Sequence, residues 1–381
     1  MLRLPVIGCV NNMTAQFSSV DQAVAQLVRP EIQALHAYHV PPSAKMVKLD
    51  AMENPYDWPP LLRQAWLDKL AELSLNRYPD PGATELHNAL HQHLGLAAET
   101  GLLFGNGSDE LIQLLIMAVN RPGAKVMSIA PTFVMYDMIA RFLGADYCSV
   151  ALNDDFELDV DAFVEAMAQQ QPALVFIAYP NNPTGNALSR QDLIRIIEAA
   201  PGLVVVDEAY HAFAEDSFIL DTVQYPHLLV MRTFSKVGLA GLRLGYLVGP
   251  KAWIEQVDKL RLPYNINTMT QASALVALSH WSILAEQAQQ ICDDRIQLSQ
   301  ALAALPGIKV YATAANFIVV RLNEAGPSAP QVFEGLKAAG ILIKNLSPQG
   351  GVLTNCLRIT IGSPTENNQL IEALRLLLKP V

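Results

Sequence analysis

Short apolar runs alternate with amphipathic stretches through the middle of the chain. Two of the stretches between the runs, 159–170 and 189–199, have the apolar spacing of helices that cover a sheet. Strands that are apolar along their whole length and alternate with helices are typical of a parallel sheet buried on both faces. The pattern therefore predicts an α/β fold with a mostly parallel central sheet flanked by helices. The apolar runs are Lys125–Ile129, Leu174–Ala178, Leu203–Val206, Leu228–Met231 and Leu244–Val248.

Polar side chains with useful chemistry follow three of these runs. Asn182 comes shortly after one run, Asp207 directly after the next, and Lys236 after the third. The carboxyl ends of parallel strands lie at one edge of an open sheet, which is where such folds bind ligands. We therefore expect these three side chains to share one site.

A glycine-rich segment, 105–110, precedes the apolar stretch Leu111–Val119. Glycines followed by Ser108 and Asp109 at the start of a helix leave backbone N–H groups available, and the helix dipole favours an anion there. The segment predicts a helix N-terminus that binds phosphate.

The C-terminal part of the chain has a different pattern. A long helical stretch follows residue 285, and the apolar runs Ala315–Val320 and Leu357–Ile361 precede a final helix. This order predicts a smaller α+β domain, as expected because a single core stops growing well below the 381 residues of this chain. The expected organisation is an N-terminal extension (1–28), an arm with part of the small domain (29–75), a large domain that contains the site (76–285) and a small C-terminal domain (286–381).

Composition argues against several classes of protein. The formal net charge is −10 and no run is rich in lysine and arginine, so a nucleic-acid surface is not expected. The stretch 262–285 has no charged residue, but its polar amides and histidine predict a buried helix rather than a membrane span. The four cysteines are widely spaced, which is typical of a reduced cytoplasmic protein. His87, His91 and His93 have no accompanying cysteine or acidic ligand motif, so no metal site is expected.

Lys236 stands in the segment 233–236 with apolar residues on both sides. A lysine that forms a Schiff base must be partly deprotonated, and an apolar setting favours the neutral amine. The alternative is an ordinary surface lysine at the start of a helix. The accompanying Asn182, Asp207 and Arg243 favour the Schiff-base role.

Asp207 ends an apolar strand, where a carboxylate needs a partner. One candidate partner is the protonated pyridine nitrogen of pyridoxal 5′-phosphate (PLP), because an anion there keeps the ring able to accept electrons. The alternatives are a helix cap and a Mg²⁺ ligand in a nucleotide site, but the chain has no G-x-x-x-x-G-K-[ST] segment. The sequence therefore favours PLP as the cofactor.

Further side chains would complete a PLP site. Asn182 and Tyr210 suit hydrogen bonds to the oxygen on the cofactor ring, although the segment 182–185 is also a good turn. Arg243 suits a bidentate phosphate contact, with a purely structural role as its alternative. Phe133 could stack on the ring, while core packing is the commoner role of phenylalanine. The candidate phosphate-binding residues are Ser108, Asp109, Ser235 and Arg243.

Arg358 lies in an otherwise apolar run near the C-terminus. A charge in that setting needs an anionic partner, and the carboxylate of a substrate is a natural one. A buried structural ion pair is the alternative. We expect Arg358 to bind substrate.

Together these motifs resemble those of the fold-type I PLP-dependent aminotransferases of class II, and specifically their histidinol-phosphate branch. The resemblance extends from about Arg29 to the C-terminus, and the segments Leu49–Tyr56 and Asn76–Pro79 narrow it to this branch. It implies transamination between L-histidinol phosphate and 2-oxoglutarate in histidine biosynthesis. The alternatives within the fold are an aromatic amino-acid aminotransferase and a threonine-phosphate decarboxylase. A PLP-binding transcription regulator would need an added DNA-binding domain, for which the chain has no room.

The resemblance also implies a role for each matching residue. Lys236 would hold the cofactor and act as general base, with Asp207 and Tyr210 as the other catalytic residues. Tyr78 would reach the cofactor phosphate of a neighbouring subunit, which implies a homodimer. The residues implied to bind cofactor are Tyr78, Ser108, Asp109, Phe133, Asn182, Asp207, Tyr210, Thr233, Ser235, Lys236 and Arg243. Those implied to bind substrate are Tyr38, Asn54, Asn182 and Arg358.

Three features differ from the family pattern. Phe133 stands where a tyrosine is common, which keeps a ring for stacking but removes the hydroxyl. The stretch from Lys236 to Arg243 is one residue shorter than in many relatives. Residues 1–20 have no counterpart in the pattern.

Overall fold

A computed structural model of the chain describes residue 17, residues 19–35, residue 37 and residues 44–379. The chain divides into two units, 1–42 and 43–381. The first unit contains helix α1 (Val20–Leu27) and the short helix α2 (Pro30–Gln33). Ser19 caps α1, because its hydroxyl accepts a hydrogen bond from the backbone N–H of Gln22.

The second unit contains the remaining helices and all strands of the described residues. Its helices are α3 (Pro60–Ala71), α4 (Thr84–His93), α5 (Ser108–Val119), α6 (Met135–Leu143), α7 (Val160–Gln170), α8 (Arg190–Ala199), α9 (Lys251–Asp258), α10 (Thr268–Ser279), α11 (Trp281–Ala303), α12 (Ala329–Ala338) and α13 (Pro364–Leu377). The strands are β1 (Val47–Lys48), β2 (Thr100–Gly105), β3 (Lys125–Ala130), β4 (Asp146–Ala151), β5 (Leu174–Ala178), β6 (Leu203–Asp207), β7 (Leu228–Thr233), β8 (Gly245–Pro250), β9 (Ile308–Val310), β10 (Phe317–Leu322), β11 (Ile341–Leu342), β12 (Lys344–Asn345) and β13 (Cys356–Thr360).

A seven-stranded sheet with the order β2-β8-β7-β6-β5-β3-β4 forms the centre of this unit. The strands from β7 to β4 are parallel to one another, while β8 is antiparallel to both β7 and β2. The predicted α/β fold with a mostly parallel sheet is therefore confirmed. Four of the five predicted apolar runs lie within strands of this sheet, and the fifth, Leu244–Val248, begins one residue before β8.

The apolar runs are explained by the burial of the sheet on both faces. Along β6, Val204 and Val206 pack into one hydrophobic cluster, and Leu203 and Val205 pack into a second one. Successive side chains of a strand point to opposite faces, so a strand covered on both faces must be apolar throughout.

Two strands of the sheet, β2 and β4, were not predicted. Strand β4 is at the edge and exposes Asp146, so it has no continuous apolar run. Strand β2 begins with Thr100-Gly101 and ends with Gly105, and glycine is a weak strand signal. Its place in the sheet depends on pairing with β8.

A second, four-stranded sheet has the order β12-β13-β10-β9 and is antiparallel. Strand β1 pairs in parallel with β11, so a segment near the start of this unit pairs with one near its end. The smaller antiparallel sheet agrees with the predicted α+β part of the chain.

The stretch 262–285 contains the whole of α10 and the start of α11 rather than a single buried helix. The Asn267 side chain caps α10 by accepting a hydrogen bond from the N–H of Thr270, and α10 ends at Ser279 before α11 begins at Trp281. In the part of the chain that the structure describes, no helix has the length and apolar character needed to cross a membrane.

Candidate active site

The carboxyl edge of the central sheet opens into a cavity of about 400 Å³. The ends of β5, β6 and β7 and the start of α5 contribute to its wall, as does the segment that follows β1. The side chains expected at this edge of the sheet therefore meet in one place. The cavity is lined by Ala51, Met52, Glu53, Ser108, Asp109, Phe133, Ala178, Pro180, Asn182, Asp207, Ala209, Tyr210, Thr233, Ser235, Lys236, Ala240, Gly241 and Arg243.

Asp207 is the last residue of β6 and is only 3% exposed. Its Oδ2 accepts a hydrogen bond from the Tyr136 hydroxyl at 2.7 Å, and its Oδ1 accepts one from the Ala209 N–H at 3.1 Å. Burial raises the pKa of the Asp207 carboxyl to about 6, while both hydrogen bonds act in the opposite direction. The group is therefore mainly ionised at pH 7 and gives the cavity a buried anion.

Asn182, Tyr210 and Arg358 are joined by hydrogen bonds. The Asn182 amide donates to the Tyr210 hydroxyl at 3.1 Å, and the Arg358 guanidinium donates to the Asn182 amide oxygen at 2.5 Å. Arg358 also donates to the carbonyl oxygen of Asp50 at 3.0 Å. All three linked side chains are buried, and burial raises the pKa of the Tyr210 hydroxyl, which therefore stays protonated.

Lys236 lies in a short 3₁₀ turn directly after β7 and Phe234. Its Nζ donates a hydrogen bond to the carbonyl oxygen of Ala51 at 3.2 Å and lies 5.7 Å from the centre of the Tyr210 ring. The pKa of the Lys236 amine is lowered to about 8, mainly by burial and secondly by the positive charge of Arg358. An amine with this pKa has a substantial neutral fraction near pH 8 and can act as a nucleophile or base.

A set of groups that could bind an anion lines the end of the cavity near α5. Ser108 is the first residue of that helix, so unpaired N–H groups of its first turn are available. The Arg243 guanidinium donates to the Ser235 hydroxyl at 3.4 Å and lies 3.6 Å from the Asp109 carboxylate. Thr233 accepts a hydrogen bond from the Ser235 N–H at 3.1 Å and so orients that residue.

Not every candidate residue lines this cavity. Phe133 does, and its ring meets that of Tyr136 edge to face with centroids 5.6 Å apart. Asn54 lies in an adjacent groove, where its amide donates to Gln287 at 2.9 Å. Tyr78 is 81% exposed and stacks on Tyr264. Tyr38 lies outside the described residues.

The sequence profile of the family described as "Aminotransferase class I and II" matches residues 44–374. The chain belongs to this family. It is similar to a protein of Nitrosococcus oceani named histidinol-phosphate aminotransferase 2, with 54% identity over 92% of this chain and 97% of that protein. It is also similar to a histidinol-phosphate aminotransferase of Chromobacterium violaceum, with 49% identity over 92% of this chain and 98% of the relative.

A solved structure supports the same relationship. Histidinol-phosphate aminotransferase from Sinorhizobium meliloti, in complex with pyridoxal-5′-phosphate, superposes with a TM-score of 0.82 and 25% sequence identity. The match covers 92% of this chain and 97% of that one. The expected family and fold are thus confirmed.

Sequence reasoning missed two features beside the cavity. The first is Tyr136, whose only signal was its position three residues after Phe133; Phe133 precedes α6 and Tyr136 lies in its first turn. The second is the ion pair between Glu208 and Arg232, which is buried next to Asp207 with a distance of 2.8 Å. In the sequence Glu208 directly follows Asp207, and Arg232 directly precedes Thr233. Only the register of the sheet brings Glu208 and Arg232 together.

Proposed function

We propose that this aminotransferase uses PLP to transfer the amino group of L-histidinol phosphate to 2-oxoglutarate, giving imidazole acetol phosphate and L-glutamate. The names of relatives near 50% identity support this substrate. The single observation on which the proposal depends is that a buried carboxylate, an amine of lowered pKa and an anion-binding helix N-terminus line one cavity.

The donors and acceptors in the cavity fit PLP. Ser108, Asp109, Ser235 and Arg243, together with Thr233, suit its phosphate, and Asp207 suits its protonated ring nitrogen. Asn182 and Tyr210 suit its ring oxygen, and Phe133 suits the face of the ring. The glycine at position 107 also supports a phosphate contact by Arg243. A Cβ at this position would come within 2.7 Å of the Arg243 guanidinium and displace it from the start of α5.

When bound, PLP supplies an aldehyde that joins amines and a ring that accepts the electron pair released at the substrate carbon. Lys236 would hold the cofactor at rest through its Nζ, and once substrate takes the place of this amine, the freed Nζ would accept the proton released at the substrate carbon. The lowered pKa suits both tasks, because a neutral amine is needed to attack and to accept the proton.

Arg358 binds the anionic group of each substrate in turn. The group is the phosphate of L-histidinol phosphate in one half-reaction and a carboxylate of glutamate or 2-oxoglutarate in the other. A planar guanidinium can donate two parallel hydrogen bonds to either anion. The contact of Arg358 with Asn182, the residue assigned to the ring oxygen, supports a substrate-anion site next to the cofactor.

We also propose that the enzyme is a homodimer in which Tyr78 contacts the cofactor phosphate of the partner subunit. The exposed Tyr78–Tyr264 stack, with centroids 4.5 Å apart, supports such an interface, because large exposed aromatic surfaces favour association. Tyr38 and Asn54 remain assigned to substrate binding by resemblance. A cytoplasmic location is proposed from the wide spacing of the cysteines in the sequence.

The test of this function is a half-reaction followed by absorbance. Protein saturated with PLP is mixed with L-histidinol phosphate without 2-oxoglutarate. We expect the spectrum of bound PLP to change to that of pyridoxamine phosphate while one equivalent of imidazole acetol phosphate forms. The variant Lys236→Ala should bind PLP but convert it roughly a thousandfold more slowly, because it lacks the base.

Parallel reactions with L-phenylalanine and O-phospho-L-threonine test the substrate. If phenylalanine converts bound PLP faster, and at a lower substrate concentration, than L-histidinol phosphate does, the protein would be reassigned to the aromatic amino-acid aminotransferases. Release of CO₂ from phosphothreonine would reassign it to the decarboxylases. Protein that shows no spectral sign of bound PLP would overturn the proposal as a whole.

A further inference from the structure

Tyr136 is a buried side chain that contacts the carboxylate of Asp207. Its hydroxyl lies 2.7 Å from Asp207 Oδ2, and the residue has no exposed surface. The ring is fixed from both sides, since it stacks on Phe176 with centroids 4.6 Å apart and an interplanar angle of 4°, and meets the edge of Phe133. The hydroxyl is thus held in one position by packing.

The hydroxyl donor of Tyr136 and the carboxylate of Asp207 belong to different elements of the fold. Tyr136 is in α6, whereas the other donor to Asp207, the Ala209 N–H, belongs to the turn that follows β6. Two donors on separate oxygens determine the plane of the carboxylate. A hydroxyl donor also stabilises the ionised carboxylate more than the protonated one.

The other charged and titratable groups that influence Asp207 do not favour its ionised form. Asp109 in α5 and Glu208, the next residue along the chain, are carboxylates that raise its pKa, in addition to burial. Tyr210 interacts with Asp207 as well, but its hydroxyl accepts from Asn182. Tyr136 is therefore the side chain that opposes burial at this carboxylate.

We propose that Tyr136 is a positioning residue that keeps Asp207 ionised and oriented toward the ring nitrogen of the cofactor. This inference rests on the proposed function, in which Asp207 pairs with that nitrogen. Phe133 and Tyr136 then contribute to one cofactor site in different ways. Phe133 lies at the face of the ring, and Tyr136 acts through Asp207.

The experiment measures the equilibrium affinity of the apoprotein for PLP and for 1-deaza-PLP, in which a carbon replaces the ring nitrogen. The ratio of the two dissociation constants isolates the Asp207 contact, because both compounds have the same phosphate and aldehyde. It is measured from pH 5 to pH 8 in the wild type and in Tyr136→Phe. The matched control is Tyr179→Phe, which removes another buried hydroxyl that donates to a carboxylate, that of Asp216.

We expect the wild type to prefer PLP above the pKa of Asp207 and to lose that preference as the carboxyl is protonated. In Tyr136→Phe the preference at pH 7 should fall roughly tenfold, and its midpoint should move up by about one pH unit or more, because a hydrogen bond to the ionised form is lost. Affinity for 1-deaza-PLP should not change. The control should match the wild type.

Three results would overturn the inference, and one other result concerns the proposed function itself. An unchanged midpoint in Tyr136→Phe, or an equal shift in Tyr179→Phe, would show that Tyr136 has only a packing role. A wild type without any preference for PLP would instead contradict the role of Asp207. If Tyr136→Phe does not fold, fluorotyrosine at position 136 is used instead, because it retains the shape of tyrosine and donates a stronger hydrogen bond. The midpoint of the pH dependence should then move down. An unchanged midpoint in this variant would also refute the inference.

Discussion

At the scale of single residues, burial moves the pKa values of two groups in the cavity toward neutrality from opposite sides. The pKa of Asp207 rises to about 6 and that of Lys236 falls to about 8, in both cases mainly because the charged form loses its hydration. Between these values, Asp207 is mainly ionised and Lys236 keeps a neutral fraction. A buried anion and a partly neutral amine can therefore be present together near pH 7 to 8.

The pKa of Lys236 gives a prediction for the apoprotein. Lysine reacts with acetic anhydride only as the neutral amine, so labelling of Lys236 should be half-maximal near pH 8 rather than near the ordinary 10.5. Removing the positive charge of Arg358 in Arg358→Gln should raise the midpoint by roughly one unit, because the charged amine is then repelled less. The measurement is the labelled fraction of the Lys236 peptide by mass spectrometry.

The control for this labelling is Arg195→Gln. Arg195 is an exposed arginine that pairs with the exposed Asp161. This substitution should leave the midpoint unchanged. A midpoint near the ordinary lysine value in the wild type would contradict the assignment of Lys236 as a buried amine with lowered pKa.

At the scale of elements, the end of the cavity that is proposed to bind phosphate depends on close contact between α5, β8 and the turn before Arg243. A Cβ at Gly245, the first residue of β8, would come within 2.9 Å of the Ser108 backbone nitrogen. Gly107 has a φ of +83° and directly precedes α5. A larger residue at Gly245 would prevent the strand from approaching the helix N-terminus, whereas a larger residue at Gly107 would require the Arg243 guanidinium to shift.

Gly107→Ala tests this arrangement, with Gly123→Ala as its matched control. Gly123 also has a positive φ, +79°, but a Cβ there would meet nothing within 4 Å. Both variants should lose about 1 kcal/mol of unfolding free energy to backbone strain. Only Gly107→Ala should also lose affinity for PLP, by at least about tenfold, because the Arg243 guanidinium must move.

Thermal unfolding and PLP titration of the two variants separate these effects. Equal PLP affinities in both would show that the approach of Arg243 to Gly107 has no part in binding the phosphate.

The Glu208–Arg232 pair also acts at the element scale. Arg232 is in β7, Glu208 follows β6, and Glu208 also accepts hydrogen bonds from the Phe218 N–H and the Ser217 hydroxyl. A buried carboxylate with these partners connects the ends of the two strands that lead to Asp207 and Lys236. Removal of either partner would leave a buried charge unpaired, which typically costs about 3–5 kcal/mol.

At the scale of the whole molecule, the cavity combines distant parts of the chain. Ala51 accepts from Lys236, and Arg358 in β13 contacts both Asp50 and Asn182. The small antiparallel sheet therefore supplies an arginine that contacts Asn182 in the wall of the cavity. Tyr78, by contrast, is exposed in the single chain and has a role in the proposed site only when a second copy is present.

A mixing experiment tests the shared site. Lys236→Ala and Tyr78→Ala subunits should each be poorly active alone, but dissociated and reassociated together they should recover about a quarter of the wild-type sites. The reason is that half of the dimers are mixed, and each mixed dimer contains one site with an intact Lys236 and an intact Tyr78 from different chains. Transamination rate per subunit is the measurement.

The control for mixing uses Lys236→Ala with Asp207→Asn. These residues line the same cavity of one chain, so no mixed dimer can contain an intact site and activity should not return. Absence of recovery with Tyr78→Ala as well would place Tyr78 outside the partner's site.

Elements and motifs that depend on local order can be predicted from the sequence. Apolar runs predicted the buried strands, and the residues after them predicted Asn182, Asp207 and Lys236 as parts of one site, because the carboxyl ends of parallel strands meet at one edge. The glycine-rich segment 105–110 separately predicted a helix N-terminus that binds phosphate. Contacts between residues far apart in the chain could not be predicted in this way. The hydrogen bonds of Tyr136 to Asp207 and of Arg358 to Asn182, and the pairing of Glu208 with Arg232, depend on strand register and helix packing. The pKa values of Asp207 and Lys236 were decided in the same way, since burial is a property of the folded chain and not of the local sequence.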